Sequence, residues 1–596
     1  MSIRIPIRLA VLCGWALMLS SVWASTGGTE IPYQVRFRGV EPALRRDLES
    51  VSTLRALRNR PPVSMRQLEL RAGRDRERFV TVLRSHGYYA ASVEVRLRQN
   101  RRRTQVRFVV DTGPVYRFRT VRVDVRDAPP GESIHFVPAE ATRLQPGEPA
   151  EARLVERAES RVTAWLGGKG YPFAQVVERD IRVEHRARAM DVTLYVEAGP
   201  QAVFGDTDLA GLKAVDEDFI RAKLPWAPGD PFDAAALQRG QRRLMAADLF
   251  NAVRIVRGTE LDEDGALPLT VEVTERRPRS VTLGAGYRSD EGARGTVGWE
   301  HRNLRGRGER LTLSATLSEI GYVAQSRWRK PDVMRIDQNL TWQVRAALEE
   351  PDAYRSRHVG KLLRLDRPWR PGWLVSAGTG FKYASVREDD EEDRFGLLYF
   401  PVQLDADRSN DVLDPTRGWR LSLSGAPYRD FVDSEVVFFK SRGSLTGYVP
   451  LLKRPELTAA GRVVLGHIAG ASRDAVPADE RYYAGGGGSV RGYRYQSVGP
   501  LEEDDRPLGG KTLTLASAEL RWRINQEFGL AAFLDGGTVF EESWPGSTDD
   551  LLWGAGAGVR YFTPFGPLRL DIAFPVSRRT GVDDAFQFYI SLGQTY

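Results

Sequence analysis

From Ser280 to Tyr596 the chain alternates apolar and polar residues, segment after segment, with glycine, proline, aspartate and asparagine between the segments. Leu311, Leu313, Ala315 and Leu317 interleave with Arg310, Thr312, Ser314 and Thr316, and Phe586, Phe588, Ile590 and Leu592 interleave with Gln587, Tyr589 and Ser591. A period of two places successive side chains on opposite faces of a strand, here one face apolar and the other mostly polar. Both a soluble sandwich and a membrane barrel alternate in this way. The start of the chain favours the barrel: Arg4 and Arg8, an apolar run from Leu9 to Leu19, and Val22-Trp23-Ala24 read as a secretory signal over residues 1–24. An exported chain with 317 such residues and no helical pattern is expected to form a transmembrane barrel, lipid outside and a polar lumen within. About sixteen antiparallel strands fit, and an even number returns the carboxy terminus to the side where the chain entered. After the signal there is no apolar stretch long enough for a spanning helix. The single cysteine, Cys13, lies inside the apolar run and follows Leu12 rather than a small residue, so the mature chain is expected to lack a thiol, a disulfide and a lipid anchor.

Ahead of the barrel, residues 31–278 contain a weak internal repeat. Pro146-Gly147-Glu148-Pro149 and Pro228-Gly229-Asp230-Pro231 lie 82 positions apart, and each opens a helical pattern, with apolar faces at Leu154, Ala158, Val162, Trp165 and Leu166 and at Leu237, Leu244 and Ala247. Phe79, Val82, Leu83 and His86 repeat the spacing in a more diverged first copy; His86, with no second metal-type residue beside it, reads as a packed or rim histidine. Each helix leads through a turn to a strand pair: Ser92–Arg98 with Gln105–Asp111, Gln175–Glu184 with Asp191–Glu197, and Val253–Gly258 with Pro268–Thr274. The expected organisation is therefore three β-α-α-β-β modules, residues 31–114, 115–201 and 202–278, followed by a barrel over 279–596. Such modules expose sheet edges that can accept an extended chain as an added strand. The first is set apart by charge, with 19 arginines against 8 acidic residues, a net +11. That excess is either a solvated surface or a docking face for an anionic partner or lipid headgroups.

Late in the barrel region stands Gly485-Gly486-Gly487-Gly488-Ser489-Val490-Arg491-Gly492-Tyr493. Glycines tolerate close backbone approach, so this segment can either fold back into a confined space and aim Arg491 at a partner or remain a solvated turn. Glu519 and Asp535, both in alternating segments downstream, are the candidate partners.

Three modules, a carboxy-terminal barrel, Val490-Arg491-Gly492-Tyr493 in a long loop, Phe533-Leu534-Asp535-Gly536-Gly537 on a later strand and an aromatic-rich last strand resemble the BamA/TamA superfamily of outer-membrane assembly proteins. Within it, the module count and the run from Tyr483 through Tyr493, followed by Ser497-Val498-Gly499-Pro500, look most like the TamA family. The chain departs from the family pattern where Gly487-Gly488 replaces the usual acidic or polar residue after the paired glycines. The resemblance implies polypeptide-transport-associated (POTRA) modules in the periplasm and a barrel in the outer membrane. It also implies a loop folded into the lumen, with Val490, Arg491, Gly492 and Tyr493 locked against Glu519, Phe533, Asp535 and Gly537.

No catalytic constellation is present: Ser489 lacks a G-x-S-x-G frame, the histidines at 86, 135, 185, 301, 358 and 467 are scattered, and there is no phosphate loop. The chain is expected to be no enzyme and to need no cofactor, metal or nucleic acid. The resemblance implies assistance to the insertion of autotransporters and other β-barrel clients, with a TamB-like inner-membrane-anchored partner on the modules and outer-membrane lipid around the barrel. The working face would be a weak lateral seam between the first strand (Val281, Leu283, Gly284, Gly286) and the last (Phe586, Phe588, Ile590, Gly593), where glycine either loosens the pairing or simply fits the curvature. A passive conduit, such as a phospholipid route using the same partner, and a two-partner secretion pore are the alternatives; the family suggests that the latter would carry two modules and a plug helix.

Overall fold

Three small mixed sheets precede one closed sheet in the computed structural model, which describes residues 31–99, 103–127, 137–289, 291–433, 435–453, 456–542, 550–564, 566–592 and 594. The expected signal, with Cys13, lies outside the described residues. The chain forms two units, one holding the first two modules and the other the barrel with most of the third.

In the first module Tyr33–Arg38 pairs in parallel with Thr104–Asp111, which pairs antiparallel with Ser92–Gln99. Arg117–Val125, Ala189–Glu197 and Gln175–Glu184 repeat this arrangement, and Val203–Ala210, Ala266–Glu275 and Phe250–Arg257 repeat its strand order. The long helix Met65–Ser85 begins where the Ser64 side chain accepts the Gln67 N–H, and it buries Leu68, Ala72, Phe79 and Leu83 at helical spacing. Phe79 packs between Phe37 and Phe108, with ring centroids 5.3 and 4.8 Å away. The expected module pattern lacked one element, the short helix Thr53–Ala56. Its first amides, Thr53 N at 2.8 Å and Leu54 N at 3.0 Å, donate to the buried carboxylate of Asp75, which also accepts from Ser52 Oγ at 2.7 Å. A one-turn helix has no periodicity to read; what holds it is a carboxylate brought from the long helix to its open amides. His86 caps that long helix, with Nε2 3.3 Å from Asp47.

The barrel runs antiparallel from Arg279–Arg288 to Gln587–Leu592 through sixteen strand positions. Glu391–Tyr399 and Val402–Asp407 occupy one position, because both pair with Trp373–Glu388 on one side and Gly418–Asp430 on the other. Phe400 and Pro401 divide them, and proline has no N–H to give the ladder. Leu313, Leu317, Leu520 and Leu570 stand exposed on the outer face, whereas Glu519, Asp535, Arg560 and Asp571 are buried on the inner one. No helix of the described residues is long and apolar enough to cross a membrane, whereas a closed sheet crosses with every backbone group paired except where its seam is open.

Candidate functional site

Residues 470–511 join Glu456–Ala469 to Thr512–Arg523, and this long loop packs inside the barrel. Val490 is buried among wall residues that include Val464 and Leu515, and the Tyr493 hydroxyl donates to the Trp553 carbonyl at 3.0 Å. Between them Arg491 is 1% exposed. Its Nε donates to Asp535 Oδ2 at 2.6 Å and its Nη2 to Asp535 Oδ1 at 3.0 Å, a two-pronged grip on one carboxylate. Its Nη1 reaches Glu519 at 3.0 Å and Asp571 at 3.3 Å, and the guanidinium lies 3.4 Å from the centroid of the Phe533 ring. Gly537, paired with Leu515, extends the same buried stretch of wall. Burial works against the Arg491 charge, but the hydrogen bonds and charge of Asp535, with the charges of Glu519 and Asp571, hold its guanidinium above the ordinary range.

The structure thus joins Arg491, Glu519 and Asp535 and adds residues that the sequence reading missed. Asp571 is shared with Arg560 and with Arg569 at 3.4 Å, while Glu519 also accepts from Arg521 at 2.8 Å. Asp535, by contrast, has no side-chain partner other than Arg491 among the described residues. Arg569 and Asp571 had a legible signal, since they are the inward members of Leu568–Phe574, where the outward ones are leucine, isoleucine and phenylalanine. Gly554 had none: a Cβ there would lie 1.8 Å from the Arg491 carbonyl oxygen, so the strand Leu552–Thr563 admits the loop only because that position is bare. Also missed is Tyr589 on the last strand, whose hydroxyl accepts the Gly492 N–H at 3.0 Å.

A second anchor reverses the polarity. Here the loop supplies carboxylates: Lys382 Nζ lies 2.7 Å from both Asp479 and Glu480, and Lys440 Nζ lies 3.0 Å from Glu480. Arg481 beside them forks onto Glu388 at 2.6 and 2.8 Å. These partners are 40 to 98 residues apart in the chain, beyond the reach of any local pattern.

The closing seam is short. Among the described residues the first strand shares ten cross-strand pairs with the second, and the last shares six with its predecessor, but first and last share two, Tyr287 with Ile590 and Arg288 with Tyr589. A Ser289 amide bond to Phe588 O at 3.1 Å and stacking of Tyr287 on Phe588 at 5.5 Å extend the junction. Of the expected seam residues, Phe588 and Ile590 lie at this junction and Gly286 beside it, an added Cβ there falling 3.7 Å from Ile590 O. Val281, Leu283 and Gly284 pair only with the second strand, and Val281 and Leu283 are 67% and 77% exposed. Phe586 precedes the last strand, and Gly593 lies outside the described residues. From Arg279 to Gly286 the first strand thus has a bare edge among the described residues.

Modules that pack helices with a three-stranded sheet, set before a sixteen-stranded barrel with a lumenal loop, define a POTRA–barrel protein of the outer membrane. Residues 303–596 match the Omp85 superfamily domain, and residues 202–276 match the POTRA model described as the surface antigen variable number repeat. The chain belongs to the BamA/Omp85 superfamily, with its barrel in the outer membrane and its modules in the periplasm. It is 21% identical over 594 residues to the outer membrane protein assembly factor BamA of Neisseria meningitidis serogroup B, covering 89% of this chain and 73% of that relative. To BamA of Nitratidesulfovibrio vulgaris it is 23% identical over 551 residues, covering 88% and 68%. The crystal structure of BamA from Haemophilus ducreyi lacking POTRA domains 1-3 shares the fold at a TM-score of 0.65 and 19% identity, covering 80% of this chain and 99% of that one.

Proposed function

We propose that this protein assists the insertion and folding of autotransporters and other β-barrel clients in the outer membrane by opening its lateral seam, and that a TamB-like inner-membrane-anchored partner docks on its modules. The observation that carries the reading is the imbalance of the ladders among the described residues: two pairs close the barrel where the strands on either side are held by ten and six. A ladder so short is the first to part, and the edge from Arg279 to Gly286, unpaired among the described residues, would offer N–H and C=O groups to an incoming strand. Similarity to proteins named as assembly factors supports the same role.

The test is a covalent clasp. Tyr287 and Ile590 are cross-strand partners, close enough in an antiparallel pair for a disulfide. With Cys13 replaced by serine, Tyr287→Cys with Ile590→Cys is expected to abolish client insertion when oxidised and to restore it on reduction. Insertion at full rate by the oxidised protein would overturn lateral opening.

A further inference from the structure

One of the two closing pairs, Arg288 with Tyr589, is also where the lumenal loop meets the seam. The Tyr589 ring turns inward, is fully buried and packs with Ala573 and with Phe533, the same ring that lies under the Arg491 guanidinium. Its hydroxyl takes the N–H of Gly492, the residue next to Arg491. Against the ring lies Gly487: a Cβ there would come within 2.8 Å of Tyr589 Cδ1 and 3.5 Å of Arg288 Cδ. Gly487 has no positive φ, so its backbone conformation does not demand glycine; the closeness of the two seam side chains does. Gly488, by contrast, has nothing within 4 Å. Gly487 is therefore a position at which the loop touches both strands of the seam.

We infer that the loop tip staples the seam: Tyr589 is a positioning residue that ties the closing pair to the Arg491 lock, so that the seam opens in step with release of the loop. This deepens the reading of the seam as the working face and rests on it. The hydroxyl contributes one buried hydrogen bond, and a bond of that kind is worth a change of roughly fivefold in an opening equilibrium. The ring, kept in Tyr589→Phe, leaves the packing with Phe533 and Ala573 in place.

The experiment is native-state hydrogen exchange of the full-length protein in phosphatidylethanolamine–phosphatidylglycerol vesicles, without client. Tyr589→Phe is expected to speed exchange of the Ser289 and Phe588 amides roughly fivefold, while the amides of strand Phe528–Phe540 keep their wild-type rates. Gly487→Ala, which wedges the tip away by steric contact alone, should do the same, and adding Tyr589→Phe to Arg491→Ala should speed the seam no further than Arg491→Ala does. Wild-type exchange at the seam in both Tyr589→Phe and Gly487→Ala overturns the staple, as does acceleration spread evenly over the barrel. A loosened seam with unchanged client insertion supports the staple and retires the insertase reading instead.

Discussion

Removing Arg491 and removing Asp535 are unequal injuries, although the two side chains face each other. In Arg491→Ala the buried carboxylate of Asp535 loses its side-chain partner, because both of its oxygens are spent on that arginine. A buried charge stripped of its counterion costs about 3–5 kcal/mol. In Asp535→Ala the arginine still holds Glu519 at 3.0 Å and Asp571 at 3.3 Å. The loss is then that of hydrogen bonds to a charged group, about 1–3 kcal/mol. The double variant contains no orphaned charge, and it is expected to be more stable than Arg491→Ala alone. A gap of about 2 kcal/mol between the singles is about thirtyfold in the unfolding equilibrium, well within the resolution of a denaturant midpoint followed by the gel mobility of the unheated barrel. Arg491→Lys should rescue poorly, since an ammonium cannot span both Asp535 oxygens. Equal losses in the two singles, or a double variant whose loss is their sum, would refute the account of Asp535 as a carboxylate dependent on the loop.

The second anchor predicts a pH dependence. Burial opposes the Glu480 charge, but Lys382 and Lys440 outweigh it and hold the carboxyl below its usual range. A depressed carboxyl stabilises the fold above its unfolded value, near 4.3, and that contribution is lost as pH falls through the folded value. The stability gap between wild type and Glu480→Gln should therefore be constant from about pH 7 to 5 and shrink below about pH 4; a gap already gone at pH 6 contradicts the ion pairing. On the first module, deletion of residues 31–114, with their net +11, should abolish capture of the proposed inner-membrane-anchored partner while the barrel keeps its heat-modifiable mobility, and undiminished capture would exclude docking there.

Alternation told which face of each strand a side chain occupies, and so the barrel and its outward Phe586, Phe588 and Ile590 were legible in the sequence, while the lumenal place of Glu519 and Asp535 came from the family resemblance. It could not tell which strands lie side by side at a given height, because that depends on the stagger of the whole closed sheet. Asp571 was missed for this reason: it reaches Arg491 from 80 residues away, through three ladders. Tyr589 read as a polar-face residue of the last strand, and nothing local showed that its hydroxyl meets Gly492 across 97 residues. The helix Thr53–Ala56 was too short for a periodic signal, and the break at Phe400-Pro401 reads as a loop until both flanking segments are seen on the same neighbours.

Chain order gives the lock a further consequence. Glu519, Asp535, Asp571 and Tyr589 all follow Arg491 in the sequence, on four of the last five strands of the wall, the last strand among them. The loop therefore lacks part of its partner set while the chain is still delivering its final hairpins. It finds its full set of partners only once the terminal strand has joined its neighbour, so the seated loop is a mark of completion in the protein's own biogenesis. A polypeptide cut short before Tyr589 keeps the arginine, its three carboxylates and most of the wall, yet lacks the hydroxyl that receives the tip, so its loop is held by fewer bonds than that of the finished barrel.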